Sequence, residues 1–581
     1  MSDIIKILPS DVSNKIAAGE VVQRPSSVLK ELIENSIDAN STKIQIIIKD
    51  AGKNLIQVID NGKGMSKNDM HLSFIKHATS KISKIEDIFS ISSMGFRGEA
   101  LAAISSVSML EMESINDNQN GHFIEINGGE LLREKDSNIQ EGTSIKIKNI
   151  FYNVPARRNF LKSDFVELRH ILDVFHRLAI SHPEIEFSFI NNEEEIFYLK
   201  EESLNKRIIS IFGEKIRENL IPIHESTRIA NISGFVLKPE FSKKSRSNQF
   251  IFVNNRFIKS QFINHSISAS YDGLLKDGYY PGYFLFIDID PTKIDVNVHP
   301  NKTEIKFDDD QNLYSIINSS VKHCLGIYQV SPVLDFDKDP SMDISYDQVK
   351  SQPTSPNIQI NSDFNPFKVF NDDEVNKISD DHLTSINKLN LEIDSNQALK
   401  IFQILNKFIV STNKSSLIII NQNLAHQRIL YESFLKSIFE NSVNSQKLVF
   451  PIELSLTKKQ LLLYNKIIDE FKSIGFEIIV KNELMLIESI PFGIEKNNVE
   501  EVIENILNED FNTSNDFSAS DFFAKRLSKI TSIKSGQKLN SDEQEYIVNH
   551  LFSCKEPNLS PDNKQIFITL NKNDIENKFN G

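Results

Sequence analysis

A chain of 581 residues is too long for a single hydrophobic core, and about two to four domains are expected. With 40% hydrophobic and 25% charged residues, no apolar run as long as a membrane span, and only Cys324 and Cys554, the composition excludes helical membrane spans and a disulfide framework. The net charge of −14 excludes a surface coated in nucleic-acid-binding charge but leaves room for a local basic groove, since affinity follows charge distribution rather than its sum. The opening Met1-Ser-Asp-Ile-Ile-Lys lacks the basic-then-apolar layout of a signal peptide, so a cytoplasmic protein without a membrane partner is expected.

The first informative stretch is Lys30-Glu-Leu-Ile-Glu-Asn-Ser-Ile-Asp-Ala39. At about 100° per residue on a helix, Glu31, Asn35 and Asp38 share one face, while Val28, Leu29, Leu32, Ile33 and Ile37 form a broad apolar side. A carboxylate and a carboxamide one turn apart suit a magnesium-nucleotide site. Asn35 can offer a neutral oxygen to Mg²⁺, which keeps its waters and takes phosphate oxygens as further ligands. Glu31 can polarise a water for attack on the terminal phosphate. Ile44 to Ile48 and Leu55 to Ile59 read as strands, and Asp60 ends the second. Its carboxylate can accept the exocyclic amine of adenine, and Asn61-Gly62-Lys63-Gly64 lets backbone pass close to the base. Taken singly, these pieces also read as a solvated helix face and a hairpin turn.

Residues 82–101 hold serines, the Gly95 and Gly98 pair and few helix signals, and read as a mobile lid. Gly98-Glu99-Ala100-Leu101 opens a helix whose N-terminal amides would face phosphates. Thr79, Ser80 and Lys81 add hydroxyl and ammonium donors, although Lys81 alone would read as a surface lysine. Thr143 to Lys148 reads as a third strand and Phe165 to Ile180 as a packed helix. No P-loop is present.

Together with Gly95-Phe96-Arg97-Gly98-Glu99-Ala100-Leu101, these motifs resemble the GHKL ATPases and, within them, the MutL mismatch-repair family. Ile16-Ala-Ala-Gly-Glu-Val-Val22, His77-Ala-Thr-Ser-Lys81 and Asn297-Val-His-Pro-Asn-Lys302 carry the same resemblance, densely over the first 330 residues and more loosely over the last 190. It implies an α/β (α+β sandwich) fold with a GHKL ATP-binding domain over 1–205 and a ribosomal-S5-like second domain over 206–331. A flexible linker over 332–392 and an α/β C-terminal dimerisation domain over 393–575 would follow. ATP and Mg are the implied cofactors. The resemblance places Glu31 as the catalytic base. It puts Asn35, Asp38, Asp60, Gly64, Thr79, Ser80, Lys81, the Gly95–Leu101 run, Thr143 (in Glu141-Gly-Thr143) and Lys302 around the nucleotide. Lys302 would reach from the second domain to the γ-phosphate.

In the second unit, Phe250 to Ile258 and Tyr283 to Ile289 read as strands, with a helix over His265 to Tyr271. Lys243, Lys244, Arg246, Arg256 and Lys259 read either as a DNA-backbone groove or as a solvated loop; a groove would bind with steep salt dependence. From Asp335 to Glu392 the composition is that of a linker.

Periodicity returns over Ala398 to Val410 and Leu417 to Ile420. Many members of the family carry a nuclease motif here, D-Q-H-A-x-x-E-x-x-x-x-E. This chain reads Asn421-Gln-Asn-Leu-Ala-His-Gln-Arg-Ile-Leu-Tyr-Glu432, so Asn421, Asn423 and Gln427 replace the aspartate, histidine and first glutamate. Amides are poor ligands for Zn²⁺ or Mn²⁺. The family's C-P-H-G-R-P motif is also absent at Ser560-Pro-Asp-Asn-Lys-Gln565, so no C-terminal metal site and no endonuclease activity are expected; His426 and Cys554 remain as lone candidate ligands. Gln446-Lys-Leu-Val-Phe-Pro451 resembles the Q-x-L-x-x-P peptide that docks on the sliding clamp, and reads equally as a buried strand. The whole implies a weak ATPase acting as a homodimeric matchmaker, an ATP-gated clamp on DNA between a MutS-like mismatch sensor and a helicase or separate nuclease. The alternatives are a mismatch-repair endonuclease with a divergent metal site, and a GHKL chaperone or topoisomerase subunit.

Overall fold

The computed structural model describes residues 19, 21–81, 94, 95, 98–116, 120–276, 278–295, 305–327, 401–413, 416–440, 445–481, 484–491, 494, 496, 499–508 and 519–571. The expected linker (332–392), Lys302 with its preceding loop, Phe96, Arg97 and most of the expected lid lie outside the described residues.

Among the described residues, the first unit holds eight strands, β1 (Lys43–Lys49), β2 (Leu55–Asp60), β3 (Met109–Ser114), β4 (Gly121–Asn127), β5 (Glu130–Ser137), β6 (Thr143–Lys148), β7 (Glu186–Asn191) and β8 (Glu194–Leu199). They form one sheet in the order β5-β4-β3-β6-β2-β1-β7-β8, antiparallel throughout except at β1–β7. Alternation builds it: Ile44, Ile46 and Ile48 of β1 and Ile56 and Val58 of β2 all point inward and are buried. Helix α1 (Pro25–Asp38) starts on Pro25, whose fixed φ suits a first helical position. It buries Val28, Leu29, Leu32 and Ile33 in the same core. Further α-helices among the described residues are α2 (Lys67–Leu72), α3 (Ala100–Ser106), α4 (Pro155–Asn159), α5 (Asp164–Ser181) and α6 (Leu204–Phe212). α5 packs on α1 with Leu168, Ile171, Leu172 and Phe175 fully buried.

The fully buried Arg207 of α6 ties this unit together. Its guanidinium donates to the carbonyls of Ala179 (2.8 Å), Pro183 (3.0 Å), Ile185 (2.9 Å) and Lys200 (2.7 Å), and to Glu202 at 3.1 Å. It thus satisfies a carbonyl in the last turn of α5 that no intrahelical donor reaches.

The second unit is a five-stranded sheet of order β12-β11-β13-β10-β9, from β9 (Leu220–Ser226), β10 (Asn231–Leu237), β11 (Gln249–Val253), β12 (Arg256–Phe257) and β13 (Tyr283–Asp288). Helices α7 (Gln261–Ser270) and α8 (Asp310–Ile327) pack together, and β14 (Ile294–Asp295) pairs with β15 (Lys306–Phe307). The sequence suggested one strand from Phe250 to Ile258. It is a hairpin instead, because Asn254 (φ 48°) and Asn255 (φ 62°) both adopt the left-handed region and turn the chain.

The C-terminal unit has two antiparallel sheets. One contains β16 (Ile401–Ile404), β17 (Phe408–Asn413), β18 (Ser416–Asn421) and, at its far edge, β22 (Phe567–Asn571). The other has the order β19-β21-β20, from β19 (Ser445–Ser455), β20 (Glu477–Lys481) and β21 (Leu484–Pro491). Helices α9 (Gln422–Glu440), α10 (Lys458–Tyr464), α11 (Ile468–Ile474), α12 (Val499–Asn508), α13 (Ala519–Thr531) and α14 (Ser541–Ser553) complete it. This unit rests on the other two. Phe165 of α5 packs on Phe522 of α13 (centroids 6.0 Å), Lys459 of α10 pairs with Asp173 of α5, and Lys243 pairs with Glu504 of α12 at 2.6 Å.

Candidate nucleotide-binding site

A cavity of about 1260 Å³ opens beside the exposed face of α1, spacious for a nucleoside triphosphate. Every site residue expected from the sequence and lying within the described residues lines it: Glu31, Asn35, Asp38, Asp60, Gly64, Thr79, Ser80, Lys81, Gly95, Gly98, Glu99, Ala100, Leu101 and Thr143.

At one end, Asp60 and Thr143 are register partners on β2 and β6, and both are buried. Asp60 Oδ2 accepts from Ser36 Oγ (2.8 Å) and Oδ1 from the Gly62 amide (2.9 Å), so the carboxylate is held by donors on two sides. Thr143 Oγ1 shares a 2.8 Å hydrogen bond with Ser114 Oγ, which also accepts from the Met65 amide at 2.9 Å. Gly64 (φ 61°) passes so close to Ile115 that a Cβ would lie 1.7 Å from its carbonyl oxygen, so only glycine fits this wall.

At the other end, Lys81 Nζ donates to Asn35 Oδ1 at 2.9 Å and pairs with Asp38 Oδ2 at 2.5 Å. The amides of Met94 (2.9 Å) and Gly95 (3.1 Å) donate to the two oxygens of Asp38. Glu99 sits at the N-cap position of α3 without a side-chain capping bond and faces His77 Nδ1 at 3.2 Å, while the His77 amide donates to the Gly98 carbonyl at 3.0 Å. Gly98 (φ 63°) lies against Ala78, where a Cβ would come within 2.3 Å of the carbonyl oxygen. The His77–Lys81 and Gly95–Leu101 motifs are therefore pressed together on one wall. Glu31 stands one turn before Asn35 on the same cavity, with Lys30 Nζ at 3.5 Å. Burial works against the Lys30 charge, but Glu34 at 2.9 Å and Glu31 outweigh it and raise its pKa. A neutral amide oxygen at Asn35, beside carboxylates and donor-rich phosphate walls, fits an oxygen-ligated Mg²⁺ that takes its remaining ligands from phosphate and water.

Sequence reasoning missed Ser36, which orients Asp60, and Ser114, which ties the Thr143 hydroxyl to the Met65 amide. It also missed Arg177 and Asp173 of α5 as lining residues. Arg256 was read only as a candidate DNA contact, yet it lines this cavity. Lys243 and Lys244 are engaged by Glu504 and Glu501, and Arg246 lies 4.5 Å over the Tyr280 ring. Lys244, Arg246 and Lys259 remain exposed, so these contacts leave part of the expected basic groove open to solvent.

In the C-terminal unit, the positions of the nuclease motif are bound up in an amide network. Gln422 is fully buried and donates to the carbonyls of Asn406 (2.9 Å) and Gln537 (3.0 Å). Asn423 donates to the Ile533 carbonyl at 2.6 Å and accepts from Gln427 at 3.0 Å. Glu432 accepts from the Lys555 amide at 2.9 Å and lies 3.7 Å from Arg428, which donates to Glu556 at 2.8 Å. His426 Nδ1 accepts from the Ile533 amide at 3.1 Å, and burial lowers its pKa; Cys554 Sγ donates to the His550 carbonyl. Of the clamp-like peptide, Val449 and Phe450 are exposed (89% and 72%) on edge strand β19, whereas Leu448 packs into the C-terminal core.

Comparison with known proteins agrees with this layout. Residues 23–154 match the family described as histidine kinase-, DNA gyrase B- and HSP90-like ATPase. Residues 208–326 match the DNA mismatch repair protein, C-terminal domain, and 401–539 the MutL C-terminal dimerisation domain. Over the full length of both chains, the sequence is 45% identical to the DNA mismatch repair protein MutL of Christiangramia forsetii, 41% to that of Flavobacterium johnsoniae and 35% to that of Bacteroides fragilis. Among solved structures, the N-terminal domain of a DNA repair protein is 24% identical, covering 55% of this chain and 99% of that one with a TM-score of 0.48. The Aquifex aeolicus MutL ATPase domain complexed with ADP is 26% identical, covering 47% and 94% with a TM-score of 0.36. Among the described residues no helix is long and apolar enough to cross a membrane. With a nucleotide cavity built on an ATPase domain of this type and a C-terminal dimerisation domain, the chain belongs to the MutL family of DNA mismatch repair proteins.

Proposed function

We propose that the chain is a homodimeric, ATP-driven matchmaker of mismatch repair that does not itself cut DNA. The observation that carries the ATPase half is the shared cavity wall of Glu31, Asn35 and Asp38 on α1, opposed by Asp60 and Thr143 on the sheet. In this reading Asp60 accepts the adenine amine and Asn35 ligates Mg²⁺. Lys81, Thr79, Ser80 and the Gly95–Leu101 run hold the phosphates, and Lys302 reaches the γ-phosphate from the second domain. Glu31 takes a proton from the attacking water as the bond between the terminal phosphorus and its bridging oxygen breaks. Turnover is slow, because its purpose is to gate a clamp. Nucleotide binding brings the two N-terminal units of the dimer together around DNA and hydrolysis releases them. The partners are a MutS-like sensor, non-specifically held DNA, and a helicase or separate nuclease. The cell interior around the nucleoid is the proposed location, and the proposed domain limits are those given by the sequence.

The absence of nuclease chemistry is supported by the side chains at the motif. Gln422, Asn423 and Gln427 spend their amides on carbonyls and on each other, and the Arg428 cation lies beside Glu432. A cation fixed against the one remaining carboxylate opposes a divalent metal there. The exposed Val449–Phe450 step supports clamp docking through the Gln446–Pro451 peptide, with Phe450 rather than Leu448 as the anchor. The test is nicking of closed circular plasmid by the full-length protein with Mn²⁺, Mg²⁺ or chelator, beside Glu432→Ala. No nicking in any condition is expected. Metal-dependent nicking lost in Glu432→Ala would establish the endonuclease alternative instead.

A further inference from the structure

Helix α12 of the C-terminal unit has two unlike faces. Val499, Val502, Ile503, Ile506 and Leu507 are buried in the C-terminal core, which turns Glu501 and Glu504, neighbours on the helix surface, outward. Glu504 pairs with Lys243 at 2.6 Å and Glu501 with Lys244 at 2.5 Å. Those lysines belong to a fixed piece of the second domain, since the backbone of Lys243 exchanges two hydrogen bonds with that of Tyr280, at 3.2 and 2.7 Å. Its cations are interleaved with aromatic rings. Lys243 lies 6.0 Å from the Phe241 ring centre, Lys244 5.7 Å from that of Tyr279 and Arg246 4.5 Å from that of Tyr280. Apolar packing backs the contact between units: Phe165 and Val166 of α5 are buried in the C-terminal core, Phe165 against Phe522.

We propose that α12 is an internal competitor of DNA: Glu501 and Glu504 occupy Lys243 and Lys244 while the C-terminal unit rests on the second domain, and DNA gains those two lysines only by displacing the helix. The proposal rests on the reading of Lys243, Lys244 and Arg246 as DNA-backbone contacts. Two carboxylates one turn apart offer a pair of ammoniums the same acceptors as two phosphates of one strand, so the lysines cannot serve both. Arg246 stays exposed beside them, which lets DNA make a first contact before the helix leaves. Both ion pairs are partly exposed, with side-chain exposures between 24% and 40%, and are therefore weak and screened by salt. Weakness suits a cover that has to come off. The position of the C-terminal unit thereby sets how many phosphates the second domain can neutralise.

The test is fluorescence anisotropy of a labelled DNA duplex titrated with full-length protein, without nucleotide, across a series of salt concentrations. The double variant Glu501→Gln/Glu504→Gln should bind about three- to tenfold more tightly than wild type at low salt. Its plot of log affinity against log salt should be steeper by about 1.8, the signature of two further phosphates neutralised. Asp542→Asn/Glu545→Gln, which removes the same charge from exposed positions on α14, should leave that slope unchanged. Adding Lys243→Gln/Lys244→Gln to the α12 variant should abolish both gains. If the α12 variant binds no better than the α14 control while Lys243→Gln/Lys244→Gln alone weakens binding, the competition is refuted and the DNA contact stands. A gain that survives loss of the two lysines would also overturn the proposal, since the helix would then act elsewhere. If neither the α12 nor the lysine variant alters binding, the reading of this segment as a DNA contact falls, and the proposal with it.

Discussion

Lys81 Nζ lies 2.9 Å from Asn35 Oδ1, so one ammonium holds the amide oxygen that the magnesium reading assigns to the metal. With Asn35 as the proposed Mg²⁺ ligand, Lys81 would have to give up this oxygen, and the nucleotide phosphates would be its alternative partners. Asn35→Ala removes that oxygen, and nucleotide binding should lose its Mg²⁺ dependence along with most of its affinity. Titration with a fluorescent ATP analogue, with and without Mg²⁺, measures this; an unchanged Mg²⁺ dependence would refute the assignment.

Glu31→Ala should behave differently. It leaves the Asn35, Asp38 and Asp60 contacts in place, so ATP still binds and the N-terminal units still associate. Turnover should drop by about 100-fold or more, the usual contribution of a positioned general base. Phosphate release and analytical ultracentrifugation with ATP report the two properties separately.

Arg207 offers a stability prediction away from the cavity. Five of its hydrogen bonds end on buried or half-buried oxygens, and it is fully buried. Arg207→Met would take a donor from each of them and should cost about 3 kcal/mol or more. Denaturant unfolding should show a separate, earlier transition for the ATPase unit.

The contact between α5 and the C-terminal unit is also testable. Burial favours a neutral Asp173, but Lys459, Arg169 and Arg177 hold its carboxyl well below the usual range. Lys459→Ala takes away one of those cations and the anchoring ion pair. The C-terminal unit should then separate from α5, seen as a larger radius of gyration by small-angle scattering and faster amide exchange around Phe165 and Val166. An unchanged radius would show that the remaining contacts, Phe165 on Phe522 and the Lys243–Glu504 pair among them, hold the units together without it.

Two imidazoles set an acid limit. Burial, Lys459 and Arg177 push the pKa of His176 down to about 3, and burial with Arg24 does the same for His170. An unfolded histidine takes up a proton near pH 6.5, which the folded one refuses until about 3. Their contribution is therefore complete above about pH 6.5 and declines as pH falls toward 3, by about 2 kcal/mol per group at pH 5. The thermal midpoint should drop between pH 7 and 5, and His176→Phe should flatten the decline.

Much of this was legible in the sequence because short-range periodicity governs it. The face of Glu31, Asn35 and Asp38, the inward isoleucines of β1 and the Asp60 turn each follow from spacing alone. The β11–β12 hairpin was misread as one strand. Its first arm, Phe250 to Val253, is a continuous apolar run, and the turn is carried by two asparagines, which tolerate positive φ without announcing it as an Asn-Gly pair would. Arg256 reads from sequence equally as a DNA-groove or a solvated-loop residue, since its place at the cavity depends on a contact between domains, and no local pattern records that Arg177 lies over Phe257. Ser36 and Ser114 escaped notice because a serine in a helix or strand has no signature until its partner carboxylate or hydroxyl is known.

Strand β19 leaves Val449 and Phe450 in water at the rim of its sheet. Such an edge is a template for self-association, and a concentrated protein would be expected to polymerise through it. Here the ladder to β21 is irregular between Lys447 and Ile452, the flanking Lys447 is charged, and Pro451 has no amide to donate. These three features make the edge a poor match for another copy of itself. The apolar step can therefore stay uncovered with little tendency to pair with a second copy edge to edge.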